Sequence, residues 1–214
     1  PNPTVMDGDN GLTKFSGLDI YSLPIHDYDW IINNYPEYKP TKPGAQPNRR
    51  DLILKLLRED ALKMTKEQTL IMDWTAIQSA FDFQTDVEPA VTKGGKIDEF
   101  VFWAKKIEYS EKICIYICSL KCHVVVCCHE SKVRDPKNGQ LLEKTAPLMQ
   151  GKFSAQMKRW FTECFRCVIE EEQDKEGKVK KTNYFWQVAS DNQFDAKTRL
   201  TFPEGTYRIE PHYK

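Results

Sequence analysis

Short apolar runs that stop at an acid or a turn former pick out the strands of this chain. Thr4 to Met6 is such a run, and the turn residues behind it set Asp7 and Asp9 at its carboxyl end, where they serve as a solvated turn or as chemistry. Leu18 to Ile25 is a second run, closed by Pro24. Within Glu67 to Ile77, the run from Thr69 delivers Asp73, and Thr75 starts the next helix. Val124 to Cys128 is a fourth run, with His129 and Glu130 at its end. Elsewhere the apolar spacing changes to three and four. Leu52, Ile53, Leu56, Leu57 and Leu62 form one helical stripe. Ile97, Phe100, Val101, Ala104, Ile107, Cys114, Ile117 and Cys118 form another, which predicts a helix over 97–120. Shorter helices are predicted at 26–34, capped by Asp27 or Asp29, and at 153–164. Residues 165–188 read as a hairpin that turns over 170–181. The stretch 35–50, with Pro36, Pro40, Pro43, Gly44 and Pro47, is a surface loop, either a partner-binding segment or an insertion.

A helix that crosses from the Asp73 strand to the His129 strand makes a βαβ unit, so the two strands run parallel and their polar ends emerge on one edge. An open α/β sheet keeps its ligands in the crevice beyond that edge. Asp73 therefore either holds a Mg²⁺-bound phosphate or caps the helix that follows it. His129 is either a capping or buried histidine, or a catalytic or sensing one.

Composition narrows the classes. A length of 214 residues and 40% hydrophobic content suit one large globular domain. Lys plus Arg equals Asp plus Glu at 31 each, so no global field draws the chain to nucleic acid or membrane, and any polyanion site is local. Such a site is suggested over 132–159, where seven basic residues, Lys132, Arg134, Lys137 and Lys144 among them, face two acids; the bland alternative is a solvated face. The turn formers from Asp135 to Gly139 make 131–150 a loop or hairpin. Seven cysteines, an odd number, read as reduced thiols, which places the protein inside the cell. Cys114 with Cys118, and Cys164 with Cys167, have metal-like spacings but lack the partners that would complete a structural metal site. Nothing reads as a membrane span or a signal peptide. The chain opens at Pro1 almost directly into a strand, which suggests trimming or a missing preceding segment.

The order strand-Asp-x-Asp, strand-Asp, strand-His-Glu, basic loop, hairpin and Lys-x-Arg resembles the small phage-encoded RecA-like ATPases, the Sak-type recombination proteins. The resemblance covers most of the chain and leaves 35–50 poorly matched. It implies an α/β fold, a RecA-like three-layer sandwich with a mainly parallel central sheet and a C-terminal antiparallel hairpin, spanning 1–214 as a single core. It also implies ATP and Mg²⁺ as cofactors. Asp9 would then be the general base, and Asp73 the Walker B acid that holds Mg²⁺ through its water shell. His129 or Glu130 would sense the γ-phosphate, and 131–150, with Lys132, Arg134, Lys137 and Lys144, would contact DNA. Lys197 and Arg199 would reach a neighbouring subunit's nucleotide and neutralise charge on the transferred phosphoryl group. The implied partners are single-stranded DNA, further copies of the chain in a ring or filament, and phage recombination or replication proteins in the cytoplasm of an infected cell. No membrane is implied.

One departure from the family is plain. No G-x-x-x-x-G-K-[ST] sequence is present; Gly94-Gly95-Lys96 and Gly151-Lys152 lack the first Gly at its spacing and the Ser/Thr. The resemblance places that phosphate cradle upstream of Pro1. Without it, the chain is instead a RecA-like binding or assembly module that does not hydrolyse ATP. A third reading is a virion or scaffold component docking through 35–50.

Overall fold

Four short strands pair side by side, all pointing the same way. In the computed structural model they are β1 (Thr4–Asp7), β2 (Tyr21–Pro24), β3 (Thr69–Asp73) and β4 (His123–Cys127), in the order β2-β1-β3-β4. The structure describes residues 3–7, 19–41, 47–75, 77–78, 98–134, 137, 140–149, 152–174 and 176–210. Asp9, the Gly94-Gly95-Lys96 sequence and most of the 135–139 turn lie outside them. The described residues fall into two compact units, Pro1–His129 and Glu130–Lys214.

In the first unit, one face of the sheet carries Met6, Leu23, Leu70 and Met72, all buried. The opposite face is more open: Val125, on the outer strand β4, is 46% exposed. Helix α1 (Tyr28–Asn34) begins at Asp27, whose carboxylate accepts the Trp30 N–H at 3.0 Å, one of the two caps expected. A single 3₁₀ turn, Pro36–Tyr38, interrupts the Pro-rich stretch. Helix α2 (Arg49–Lys55) starts at Asn48, whose side chain accepts the Asp51 N–H, and runs on into a π-helical turn, Leu56–Asp60, and a 3₁₀ turn, Ala61–Lys63. Leu52, Ile53, Leu56 and Leu57 are fully buried. Leu62, the last member of the predicted stripe, is 43% exposed, because the widened turn advances the helix phase and the tighter one after it rotates Leu62 outward.

Helix α3 (Glu99–Ser119) begins where Asp98 accepts the Val101 N–H and matches the predicted helix to within two residues at its start and one at its end. Its stripe is buried only in the second half, at Ile113, Cys114 and Ile117, with Lys106 buried further back; Phe100 is solvent-exposed. Burial pushes the Cys114 thiol up to about 12, so it packs as a small apolar group.

The second unit is antiparallel. Strands β5 (Glu130–Arg134) and β6 (Leu141–Pro147) form a hairpin over most of the expected loop. The predicted helix at 153–164 shortens to α4 (Lys152–Gln156) and one 3₁₀ turn, Met157–Arg159, leaving Cys164 paired with Lys197 in an isolated bridge. Strands β7 (Arg166–Gln173), β8 (Val179–Gln187) and β9 (Arg208–Ile209) make a three-stranded sheet with β7 outermost. The hairpin is longer than its pattern suggested. Glu170, Glu171 and Glu172 lie in β7 and Lys181 in β8, because charged side chains are accommodated where a two-stranded ribbon meets water on both faces.

The molecule is thus a mixed α/β protein, as expected, with a parallel sheet in one unit and antiparallel sheets in the other. No helix among the described residues is long and apolar enough to cross a membrane.

Candidate functional site

The strand order sets one pair of strands apart from the rest. From β1 the chain departs to β2 on one side, and from β3 it departs to β4 on the other, so the order reverses between β1 and β3. In doubly wound α/β sheets the carboxyl ends of the two strands at that reversal flank the ligand crevice.

Register sets what lies there. Thr4, Val5 and Met6 pair with Leu70, Ile71 and Met72, so the next rank brings Asp7 beside Asp73. The same rank runs outward to Pro24 on β2 and Cys127 on β4. Side chains alternate along a strand, so both aspartates rise from the face opposite Met6 and Met72. Neighbouring strands lie about 4.8 Å apart. The two aspartates thus end adjacent strands on one face of the sheet, and Asp7 is 6% exposed.

Two further residues, His26 and Thr75, complete the rim. His26, in the turn that ends β2, has its Nδ1 at 3.2 Å from the Asp7 carbonyl oxygen and 3.9 Å from Asp7 Oδ2. Asp73 Oδ1 accepts the Thr75 N–H at 2.8 Å, so the carboxylate does cap the turn behind it, with Trp74 and Ile77 buried beneath. The Thr75 hydroxyl oxygen is buried and has no hydrogen-bond partner among the described residues. An orphaned hydroxyl beside a carboxylate pair is the kind of group that a hydrated cation satisfies.

Those residues fit Mg²⁺. The ion is held through one or two carboxylates plus substrate phosphates and keeps several of its waters, unlike ions that demand an all-protein cage. Among the described residues, no group of three or more His, Cys, Asp or Glu is gathered.

The other predicted residues are placed as follows. His129 lies two residues beyond the last rank of β4, in the first unit, and is exposed. Glu130 opens β5 in the second unit, where its carboxylate takes a bidentate pair from Arg166 at 2.7 and 2.8 Å. Lys132, Lys137 and Lys144 are exposed on or near the β5–β6 hairpin, and Arg134 ends β5. The Lys197 ammonium donates to the carbonyls of Lys158 and Phe161 at 2.7 and 2.6 Å, closing the end of the α4 segment. The Arg199 backbone N–H is held by the Glu163 carboxylate. Asp7 and Asp73 are the two acids brought together. His26 is a group that sequence spacing did not single out, since a lone histidine behind a proline looks like any turn residue.

The fold and this rim define a class: a mixed α/β protein whose four-stranded parallel sheet ends two neighbouring strands in aspartates. No protein-family model matches the chain, and no curated protein matches it.

Proposed function

We propose that the rim between β1 and β3 is a Mg²⁺ site for the hydrolysis of a phosphoanhydride or phosphoester, with Asp7 and Asp73 as the anchoring carboxylates. The observation that carries this reading is their shared rank on adjacent parallel strands at the point where strand order reverses. Bound Mg²⁺ would supply charge neutralisation for the phosphoryl oxygens. Asp73 is fixed for this task by its bond to the Thr75 N–H, and Asp7 by its burial. Thr75 Oγ1 offers a further oxygen beside them.

In the form implied by the RecA-like resemblance, the substrate is ATP, and the protein acts on single-stranded DNA in phage recombination or replication as a ring or filament of copies. The parallel sheet and the acid at the end of β3 support that form. Asp9, His129 and Arg199 belong to it as base, sensor and trans-acting cation, whereas the Lys197 ammonium is taken up by the Lys158 and Phe161 carbonyls. A second form is favoured by one observation, the paired carboxylates in a chain without G-x-x-x-x-G-K-[ST]. It is direct hydrolysis of a nucleic-acid phosphodiester at the same pair of acids.

The test is a Mg²⁺ titration with ATP and, separately, with labelled single-stranded DNA and RNA. Hydrolysis of either that falls at least about 100-fold in both Asp7→Asn and Asp73→Asn supports the site, and the substrate consumed selects the form. Strand retention without turnover selects the non-hydrolysing binding module. Turnover unchanged in both variants refutes the assignment.

A further inference from the structure

On the other face of the parallel sheet, away from the paired aspartates, a cavity of about 580 Å³ opens over the amino-terminal halves of the strands. Thr4, Met6, Tyr21, Leu23 and Leu70 form its floor. The floor is mostly apolar, and the cavity's size falls within the range of small-molecule sites. The π-helical turn Leu56–Asp60 forms part of the wall and brings Asp60 to the edge; such turns recur at functional positions because they displace one side chain from the helical line.

The polar groups at this edge have a definite sense. Asp60 presents a carboxylate acceptor, and the Tyr35 hydroxyl donates to its Oδ2 at a long 3.5 Å, a bond that a better-placed donor would replace. Burial, and then the nearby Asp60 charge, raise the pKa of the Tyr35 phenol, which keeps it a neutral donor. Gln68 uses its carboxamide oxygen to accept the Thr65 N–H at 2.8 Å, which orients its NH₂ as a donor. Two tyrosine rings line the space, and Tyr21 is 64% exposed, a flat apolar surface in water. The lining's single cation, Lys63, is largely exposed and is spent on Asp60 at 3.0 Å, so nothing is left to hold a phosphate.

We propose that this cavity binds a phosphate-free heteroaromatic amine of nucleoside size, its ring lying against Tyr21 and Tyr35, its amino group donating to Asp60 and a ring or sugar acceptor meeting Gln68. The inference does not rest on the Mg²⁺ site. Stacking on aromatic faces supplies affinity and the carboxylate–amide pair supplies selection, since only a ligand with a donor can replace the long Tyr35 bond to Asp60 Oδ2.

The probe is adenosine, with 2-aminobenzimidazole as a smaller amine and adenosine triphosphate as the charged control, titrated into the whole chain in EDTA by calorimetry and saturation-transfer NMR. Expected is saturable binding of adenosine that persists in Asp73→Asn, weakens at least about tenfold in Asp60→Asn, and is not improved by the triphosphate. Circular dichroism on Asp60→Asn and the milder Gln68→Ala establishes that both remain folded. Absence of binding by both amines, binding unchanged in Asp60→Asn and Gln68→Ala, or binding lost in Asp73→Asn overturns the proposal.

Discussion

Thr75 sets two demands against each other. Its buried hydroxyl oxygen has no partner among the described residues, and an unmet polar group of this kind costs about 1–3 kcal/mol. Thr75→Val keeps the shape and removes the oxygen. The expected outcome is a gain of about 1 kcal/mol in denaturant unfolding without Mg²⁺, together with a weaker Mg²⁺ dependence of hydrolysis. A stability gain with unchanged Mg²⁺ dependence would leave the hydroxyl outside the site. Lys106 makes a second case. It is buried against the rings of Phe102 and Trp103, and burial lowers its pKa from 10.5 to about 8. Between those values the unfolded chain binds the extra proton and the folded one does not, so stability rises with pH across that window. Relative to Lys106→Met, the wild-type chain should gain stability from pH 8 to pH 10 in urea titrations; a constant difference would contradict the shift. The rim itself was half legible. Asp73 announced itself because an apolar run stopped at it, whereas the turn after β1 offered Asp7 and Asp9 equally. Only the pairing register, a property of two strands, singles out Asp7 as the neighbour of Asp73.

Elements were legible where one period held throughout. Helix α3 and strands β3 and β4 came out close to their patterns, because each is long or uniform enough for the period to dominate. The region after Lys55 did not, since a π turn and a 3₁₀ turn have different periods and no composition of their own. That segment is nonetheless core: Leu57→Ala should cost about 2–5 kcal/mol, read from the chemical-denaturation midpoint. In the second unit the short α4 segment ends on a side chain from far along the sequence. Lys197→Met removes a charged donor from two carbonyls and should destabilise that unit by roughly 2–3 kcal/mol, measurable as faster amide exchange over 157–164. From sequence, a lysine in a polar stretch gives no sign that two backbone oxygens claim it.

At the scale of the whole chain, the two compact units predict that these losses stay local. Leu57→Ala should lower hydrogen-exchange protection in β1, β2 and β3 and leave β7 and β8 unchanged, while Lys197→Met should do the reverse; both spreading across the chain would indicate a single cooperative block. The parallel unit was foreseeable as a class, since βαβ connections force parallel neighbours. The antiparallel unit was only partly foreseeable, because its strands are rich in charge. That charge has its own consequence. The outermost ribbon of the C-terminal sheet exposes three consecutive glutamates, and two such ribbons brought alongside each other would oppose like with like. Pairing through this flank is thereby disfavoured at Glu171 and Glu172, Glu170 being paired with Arg208, and converting Glu171 and Glu172 to glutamine should release self-association, seen as heavier species in sedimentation velocity.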